Sequence, residues 1–124
     1  MAFLNNDVLD NGLAYMTAQA SRIDICSQEP ATYTEATSTY TLGNKTSYSV
    51  GSPEARTPSG RKVVAAAVTD GSVTDTATAT HWAISKTSAT AALLAANSLS
   101  ASQAVTDGNT WTVGTFDIGI PGPA

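Results

Sequence analysis

Charge is what this sequence has least of. Only 13% of its 124 residues are Asp, Glu, Lys or Arg, against roughly a quarter in an ordinary soluble domain. The few charges lean acidic, for a formal net charge of −4. The basic residues Arg22, Lys45, Arg56, Arg61, Lys62 and Lys86 are scattered, and only Arg61 and Lys62 are adjacent. Such a chain repels a phosphate backbone and lacks a basic stripe for counterion release, which counts against nucleic acid as a partner.

Histidine and cysteine are nearly absent. His81 is the single imidazole and Cys26 the single thiol, so a metal site built from several His or Cys ligands is excluded, and any triad would have to use His81. His81 is read as an outward-facing strand residue beside a core tryptophan. Cys26 has no internal disulfide partner and falls in an apolar alternation, where a small buried thiol is the ordinary reading. No phosphate loop, dinucleotide fingerprint or nucleophile elbow occurs. Asp70 and Asp75 flank an expected turn without the alternating acidic pattern of a calcium loop, and are read as turn formers. No catalytic residue, cofactor or metal is therefore expected, and the chain is read as a non-enzyme.

Long hydrophobic runs are also missing. No stretch approaches the ~20 apolar residues of a membrane span, and no charged segment followed by an apolar one reads as a signal peptide. The expectation is synthesis in the cytoplasm with no membrane association, which leaves the glycosylation pattern Asn44-Lys45-Thr46 unused. Aromatics supply only 6% of residues and alanine much of the 42% that is hydrophobic, so one thin core is expected at this length.

What the chain has instead is hydroxyl. Serine and threonine make up about a quarter of it, and threonine, being β-branched, favours a pleated surface. The fold class expected is mainly β: a small antiparallel β-sandwich or barrel with one N-terminal α-helix. Residues 1–20 form an arm and helix, and residues 21–124 the sandwich of a single domain. The helix is read over Phe3 to Ala20, because Leu9, Leu13, Met16 and Ala20 recur at spacings of four, three and four. Asn5, Asn6 and Asp7 supply its N-cap, and Gly12 weakens it enough to require docking.

From Ser21 the period becomes two, with Ile23 and Ile25 on one face and Arg22, Asp24 and Cys26 on the other, until Gln28-Glu29-Pro30 ends the strand. Thr32 to Val50 reads as two short strands or one broken strand, with a turn at Gly43-Asn44. Gly51 to Gly60 reads as a projecting surface loop. Arg61 to Thr69 is assigned to a strand and Asp70-Gly71 to a turn. Thr80 to Lys86 alternates, with Trp82 and Ile84 inward. Ala91 to Ala96 fits a buried strand or a helical turn, and Asp107-Gly108 marks another turn. Trp111 and Val113 keep one parity, and Phe116, Ile118 and Ile120 the other, so a β-bulge is expected at Gly114. Tyr33, Tyr40 and Tyr48, with Trp82 and Trp111, fit either the bulk of a small core or a carbohydrate-binding or nucleobase-stacking platform, and the core is favoured because both tryptophans sit within apolar alternations.

The segments NDVLDNGLAYMTAQASRIDICSQ, SGRKVVAAAV, ATHWAIS and GNTWTVGTFDIGIP resemble, in their order along nearly the whole chain, small accessory virion proteins of tailed bacteriophages. The resemblance implies a late structural protein located in the virion, most readily a capsid decoration or cement protein. Such a protein is a homo-oligomer, with a trimer favoured, whose partners are the major capsid protein or other virion proteins. Phe3, Leu4, Leu9 and Leu13 in the N-terminal segment, and Pro53, Arg56 and Pro58 in the loop, are the expected partner contacts. A tail, collar or fibre-associated protein and a carbohydrate-binding module are the alternatives.

Overall fold

A computed structural model of the chain describes residues 3–4, 12–57, 60–87 and 90–120. Its architecture is mainly β, as the hydroxyl-rich alternation predicts. Strands β1 (Phe3–Leu4), β2 (Arg22–Cys26), β3 (Thr41–Thr46), β6 (Val68–Val73), β7 (Ala77–Lys86), β8 (Ala92–Val105) and β9 (Thr110–Val113) form one curled sheet in the order β1-β8-β7-β2-β3-β6-β9. A smaller sheet holds β4 (Glu54–Ala55), β5 (Arg61–Ala65) and β10 (Phe116–Ile120) in the order β10-β5-β4. The pairings are antiparallel in both. One α-helix, α1 (Leu13–Gln19), precedes β2.

The large sheet has two buried faces, and the period of two in β2 explains why. Ile23 and Ile25 point to an inner face, where they meet Trp82, Ile84, Leu94 and Trp111 of the same sheet, Val63 and Ile118 of the small sheet, and Leu13 and Met16 of α1. Cys26 points to the outer face, in a second cluster with Ala36, Ala83, Leu93 and Ala96, against which Tyr40 packs. Each fully buried Ile, Leu or Val contributes about 1.5–3 kcal/mol, whereas the alanines bring far less area. The outer cluster is the weaker of the two.

The N-terminal segment is not one helix. Phe3–Leu4 is a strand paired with Ala96 and Ala95 of β8, and α1 starts only after Gly12. Gly12 sits at φ 70°, ψ −169°, a region that only glycine occupies without strain, so the backbone breaks where the periodicity alone continues. Asn5, Asn6, Asp7 and Leu9 lie outside the described residues. Lys86 Nζ, nearly buried, donates to Tyr15 Oη at 2.5 Å and fastens α1 to β7.

Residues 33–39 are helical turns rather than strand, ending in a π-helical turn at Glu35–Thr39. The signal is a pair of side-chain caps after Pro30: the Glu35 N–H donates to Thr32 Oγ1 at 3.1 Å, and Glu35 Oε1 accepts from the Ala31 N–H at 2.8 Å. These two side-chain-to-backbone bonds, arranged much like a capping box but with Glu35 reaching one residue further back, outweigh the β preference of Thr32, Tyr33 and Thr34.

Two glycines expected in turns lie inside strands. Gly43 is in β3 and Gly71 in β6, and Asp70 is therefore a strand residue, paired across the sheet with Lys45 at 3.0 Å. The cause is Trp111, directly opposite Gly71 in β9. A Cβ on Gly71 would overlap Trp111 Cε2, and one on Gly43 would meet the Ser72 carbonyl oxygen of the neighbouring strand first and then Trp111 Cδ1 at 2.9 Å. Gly71 makes room for an indole, and Gly43 for that indole and the backbone of β6; neither turns the chain.

The run Arg61 to Thr69 is split, with β5 in the small sheet and β6 in the large one. Gly114 marks a crossing and not a bulge: β9 ends in the large sheet, and β10 begins in the small one. The parity change from Trp111 to Phe116 was a real signal, but of a change of sheet. Between β8 and β9 the curled sheet is bridged by one side chain. Gln103 Nε2 donates to the Thr112 carbonyl at 2.9 Å, and Gln103 Oε1 accepts the Thr112 N–H at 3.4 Å, so an amide side chain substitutes for a strand pairing.

Candidate functional site

Strand β10 pairs with β5 along all five of its residues, from Phe116↔Ala65 to Ile120↔Arg61. Among the described residues no strand pairs with its other edge. Near its start, at Phe116 and Asp117, β10 comes close to residues 97–100 of β8, a strand whose pairing with β7 breaks between Ala79↔Gln103 and His81↔Ser98. Four residues, 99–102, therefore stand opposite Thr80 alone, and a bulge of this size bends the strand away from its neighbour. Between β10 and the bent part of β8 lies an open cleft of about 320 Å³.

The floor of the cleft is apolar. Trp82 reaches it from β7 and stacks at a tilt on Phe116 of β10, with ring centroids 4.5 Å apart and planes at 39°. Leu99 and Val113 add to the wall and are half-buried. The rim carries Asn97 and Asp117. Asn97 Oδ1 accepts the Ser98 N–H at 2.8 Å. Lys62 Nζ lies 2.9 Å from Asp117 Oδ2 and 3.7 Å from Glu54 Oε1. The hydrogen bond to Asp117 is the main cause that raises the Lys62 pKa.

A second concavity, about 460 Å³, lies at Arg56, Thr57, Lys62, Asp117 and Gly119. Arg56 runs across Gly119, whose Cβ would come within 2.8 Å of Arg56 Cδ. It is bordered by polar groups and has no aromatic floor.

The titratable groups inside the fold hold it together. Asp24 is fully buried on the outer face, gripped by Arg22 Nε at 2.7 Å and Nη2 at 2.9 Å and by Thr41 Oγ1 at 2.7 Å. Burial nonetheless raises its pKa, because the desolvation of the carboxylate outweighs these three bonds. Burial likewise pushes the Cys26 thiol up to about 12. It raises the pKa of Tyr48 too, whose hydroxyl donates to the Ala66 carbonyl at 2.7 Å.

His81 is half-buried on β7. Thr80 Oγ1 donates to the Ser27 carbonyl at 2.9 Å and so must accept from His81 Nδ1–H at 2.8 Å, since a hydroxyl has one proton. The imidazole is thus tied to the strand through Nδ1. Among the described residues, no group of three or more His, Cys, Asp or Glu is gathered, and no helix is long and apolar enough to cross a membrane.

The expected contact residues are dispersed. Leu13 is 5% exposed and belongs to the chain's own core, so it positions α1 and offers no surface. Phe3 and Leu4 lie in β1 at the margin of β8. Pro53 and Arg56 flank β4, with the Pro53 carbonyl accepting from Arg61 Nη2 at 3.2 Å. Leu9 and Pro58 lie outside the described residues. The tyrosines do not share a surface: Tyr48 is in the inner core and Tyr40 packs on the outer cluster. Sequence reasoning missed the cleft because Trp82 and Phe116 both read as core, and the signal that could have exposed it is the parity change around Gly114. No family model matches the chain, nor does any curated protein or solved structure.

Proposed function

We propose that this chain is an accessory structural protein of a tailed-bacteriophage virion, acting as a capsid decoration or cement subunit that bridges and stabilises the outer capsid lattice. The observation that carries the reading is an edge of β10 that no strand pairs with among the described residues, beside a cleft with an apolar floor. Monomeric β proteins usually cover or blunt such edges, because a free edge templates pairing with another chain. A fold that keeps one beside a cleft floored by Trp82 and Phe116 is suited to adhesion.

Three further features support it. The order of the quoted segments resembles that of accessory virion proteins. A net charge of −4 suits the outside of a shell better than a lumen packed with DNA. Alanine-rich packing on the outer face of the large sheet gives modest stability that subunit contacts would raise by mass action. In this role many weak contacts act together across the lattice, so each can be small. The partners are the major capsid protein and further copies of the chain, as a trimer.

Particles purified from the phage or prophage that encodes the chain test the proposal through copy number. Symmetric decoration predicts on the order of hundreds of copies per particle, and loss of the gene should leave shells that rupture at lower temperature. About a dozen copies would replace this reading with a neck or tail component, and none at all would overturn both.

A further inference from the structure

We infer that residues 99–102 of β8 are a movable wall of the cleft, and that the Gln103 side chain is the latch that holds this wall to β9. The device belongs to the chain itself and stands apart from the assembly role proposed above.

What holds the wall also limits it. On the β7 side Ser98 is paired with His81 and Gln103 with Ala79, so the four residues between them stand opposite Thr80 alone. A bulge of that size gives up its ladder hydrogen bonds locally. Ser100, Ala101 and Ser102 are exposed, whereas Leu99 is half-buried and packs on the inner core. The segment is therefore pinned at both ends, loose between them, and seated by one apolar side chain. Leu99 and Ser100 line the cleft together with Trp82.

The latch sits where the seam between β8 and β9 opens. The two strands leave a turn in which the Asn109 N–H donates to the Thr106 carbonyl at 3.0 Å and the Gly108 N–H to the Val73 carbonyl at 3.1 Å. Moving away from the turn, the next tie between them among the described residues is the Gln103 amide on the N–H and carbonyl of Thr112. Past it the cleft begins, with Val113, the residue after Thr112, in its lining. Thr112 is fixed through its neighbours, since Trp111 pairs with Gly71 and Val113 with Val68 of β6.

Gln103 thus ties the C-terminal end of a loose wall to a fixed strand. Its two hydrogen bonds are neutral and within reach of water, and a bond of this kind shifts an opening equilibrium about fivefold. Two of them hold the wall closed and still let it open. An open wall withdraws Leu99 from the core and uncovers Trp82, while β7 stays paired with β2 and β9 with β6. Gln103 is not among the residues lining the cleft, so any effect of altering it on Trp82 travels through the wall.

The test places latch variants in a Trp111→Phe chain, where Trp82 is the single indole, and reads acrylamide quenching. Gln103→Met, of similar length but without the amide, should raise the quenching constant at least threefold with the urea midpoint little changed. Gln103→Glu should do the same at pH 7, where a carboxylate faces the Thr112 carbonyl. Below about pH 4 it should return toward the parent, because the neutral acid again offers one donor and one acceptor. The Gln103 parent is measured at each pH, since Asp107 in the turn and Asp117 and Lys62 at the rim carry charge of their own. In the chain with both tryptophans, Gln103→Met should shift or broaden the NMR resonances of residues 99–102 and leave those of β2 in place.

Unchanged quenching of Trp82 in both variants, a Gln103→Glu response that is the same at the two pH values, or NMR changes confined to Thr112 would overturn the inference, because the amide would then be a static bridge. So would changes spread evenly over the inner core, which would make Gln103 an ordinary stabilising contact. The NMR measurement decides the matter even if Trp111→Phe does not fold.

Discussion

At Gly71 a methyl group would overlap Cε2 of Trp111, and at Gly43 it would sit 2.9 Å from Cδ1 of the same ring. Overpacking a core by this amount costs about 1–3 kcal/mol. Gly71→Ala should therefore lower the urea midpoint by a corresponding amount, and in a Trp111→Val background the same change should cost much less. Additive costs in that cycle would show that the glycine is needed for some other reason.

Asp24 makes a second prediction at this scale. Its pKa is raised above the ordinary 3.8 by burial, against the pull of Arg22 and Thr41. The native state therefore holds this proton more tightly than the unfolded chain does. By linkage, the stability Asp24 contributes is greatest below 3.8 and is lost as pH rises from there through the raised native value, after which it is constant. Urea titrations of the wild type and Asp24→Asn across pH 3 to 7 should show the wild type losing ground to the variant as pH rises. A difference that grows in the opposite direction would mean that the Arg22 ion pair governs the carboxylate.

Among the elements, the segment from Thr32 to Tyr40 is held to the outer face mainly by its side-chain caps and by Ala36 and Tyr40 over Cys26. Losing a helix cap costs about 1 kcal/mol, which is about a fivefold change in a local opening equilibrium. Cys26 reports on it, being fully buried with its thiol pushed up to about 12. Native protein at pH 8 should react with a thiol reagent only through opening. Glu35→Ala should speed that labelling about fivefold while the global urea midpoint moves little. Equal rates in the two proteins would place the opening elsewhere.

This element also shows where sequence legibility ended. Strict alternation made β2 and the inner half of β7 readable, because Ile23, Ile25, Trp82 and Ile84 all needed one face. The Thr32 to Tyr40 helix was hidden, since hydroxyl-rich β formers masked a cap that depends on only two residues. The glycine positions misled for a third reason. Gly43 and Gly71 look like turn residues until a side chain 40 or more positions away claims the space above them, and no local pattern carries that contact. The cleft was illegible on the same ground: the pairing of an edge is a property of strand order, and nothing in the residues of β10 says that, among the described residues, no strand lies on its second side.

On the scale of the whole molecule, the large sheet is an unequal partition. The inner face holds most of the bulky residues and ties α1 and both sheets together, while the outer face relies on alanines, Leu93, Tyr40, one thiol and an ion pair. Opening from the outside in is thus the least costly route, and the inner core is the last to yield. The cleft lined by residues 97–100 and 113–117 opens onto this inner side, with Trp82 of the inner core in its floor.

The two tryptophans divide along the same line. Trp111 is fully enclosed over its glycine floor, and its Nε1 has no hydrogen-bond partner among the described residues. An indole so isolated from polar relaxation emits at short wavelength until the core breaks. Trp82 is 8% exposed at the base of the cleft and will change colour when something covers it. Trp82→Phe leaves a fluorophore that follows unfolding, and Trp111→Phe leaves one that follows the cleft, so the chain carries separate optical gauges for its core and for its surface.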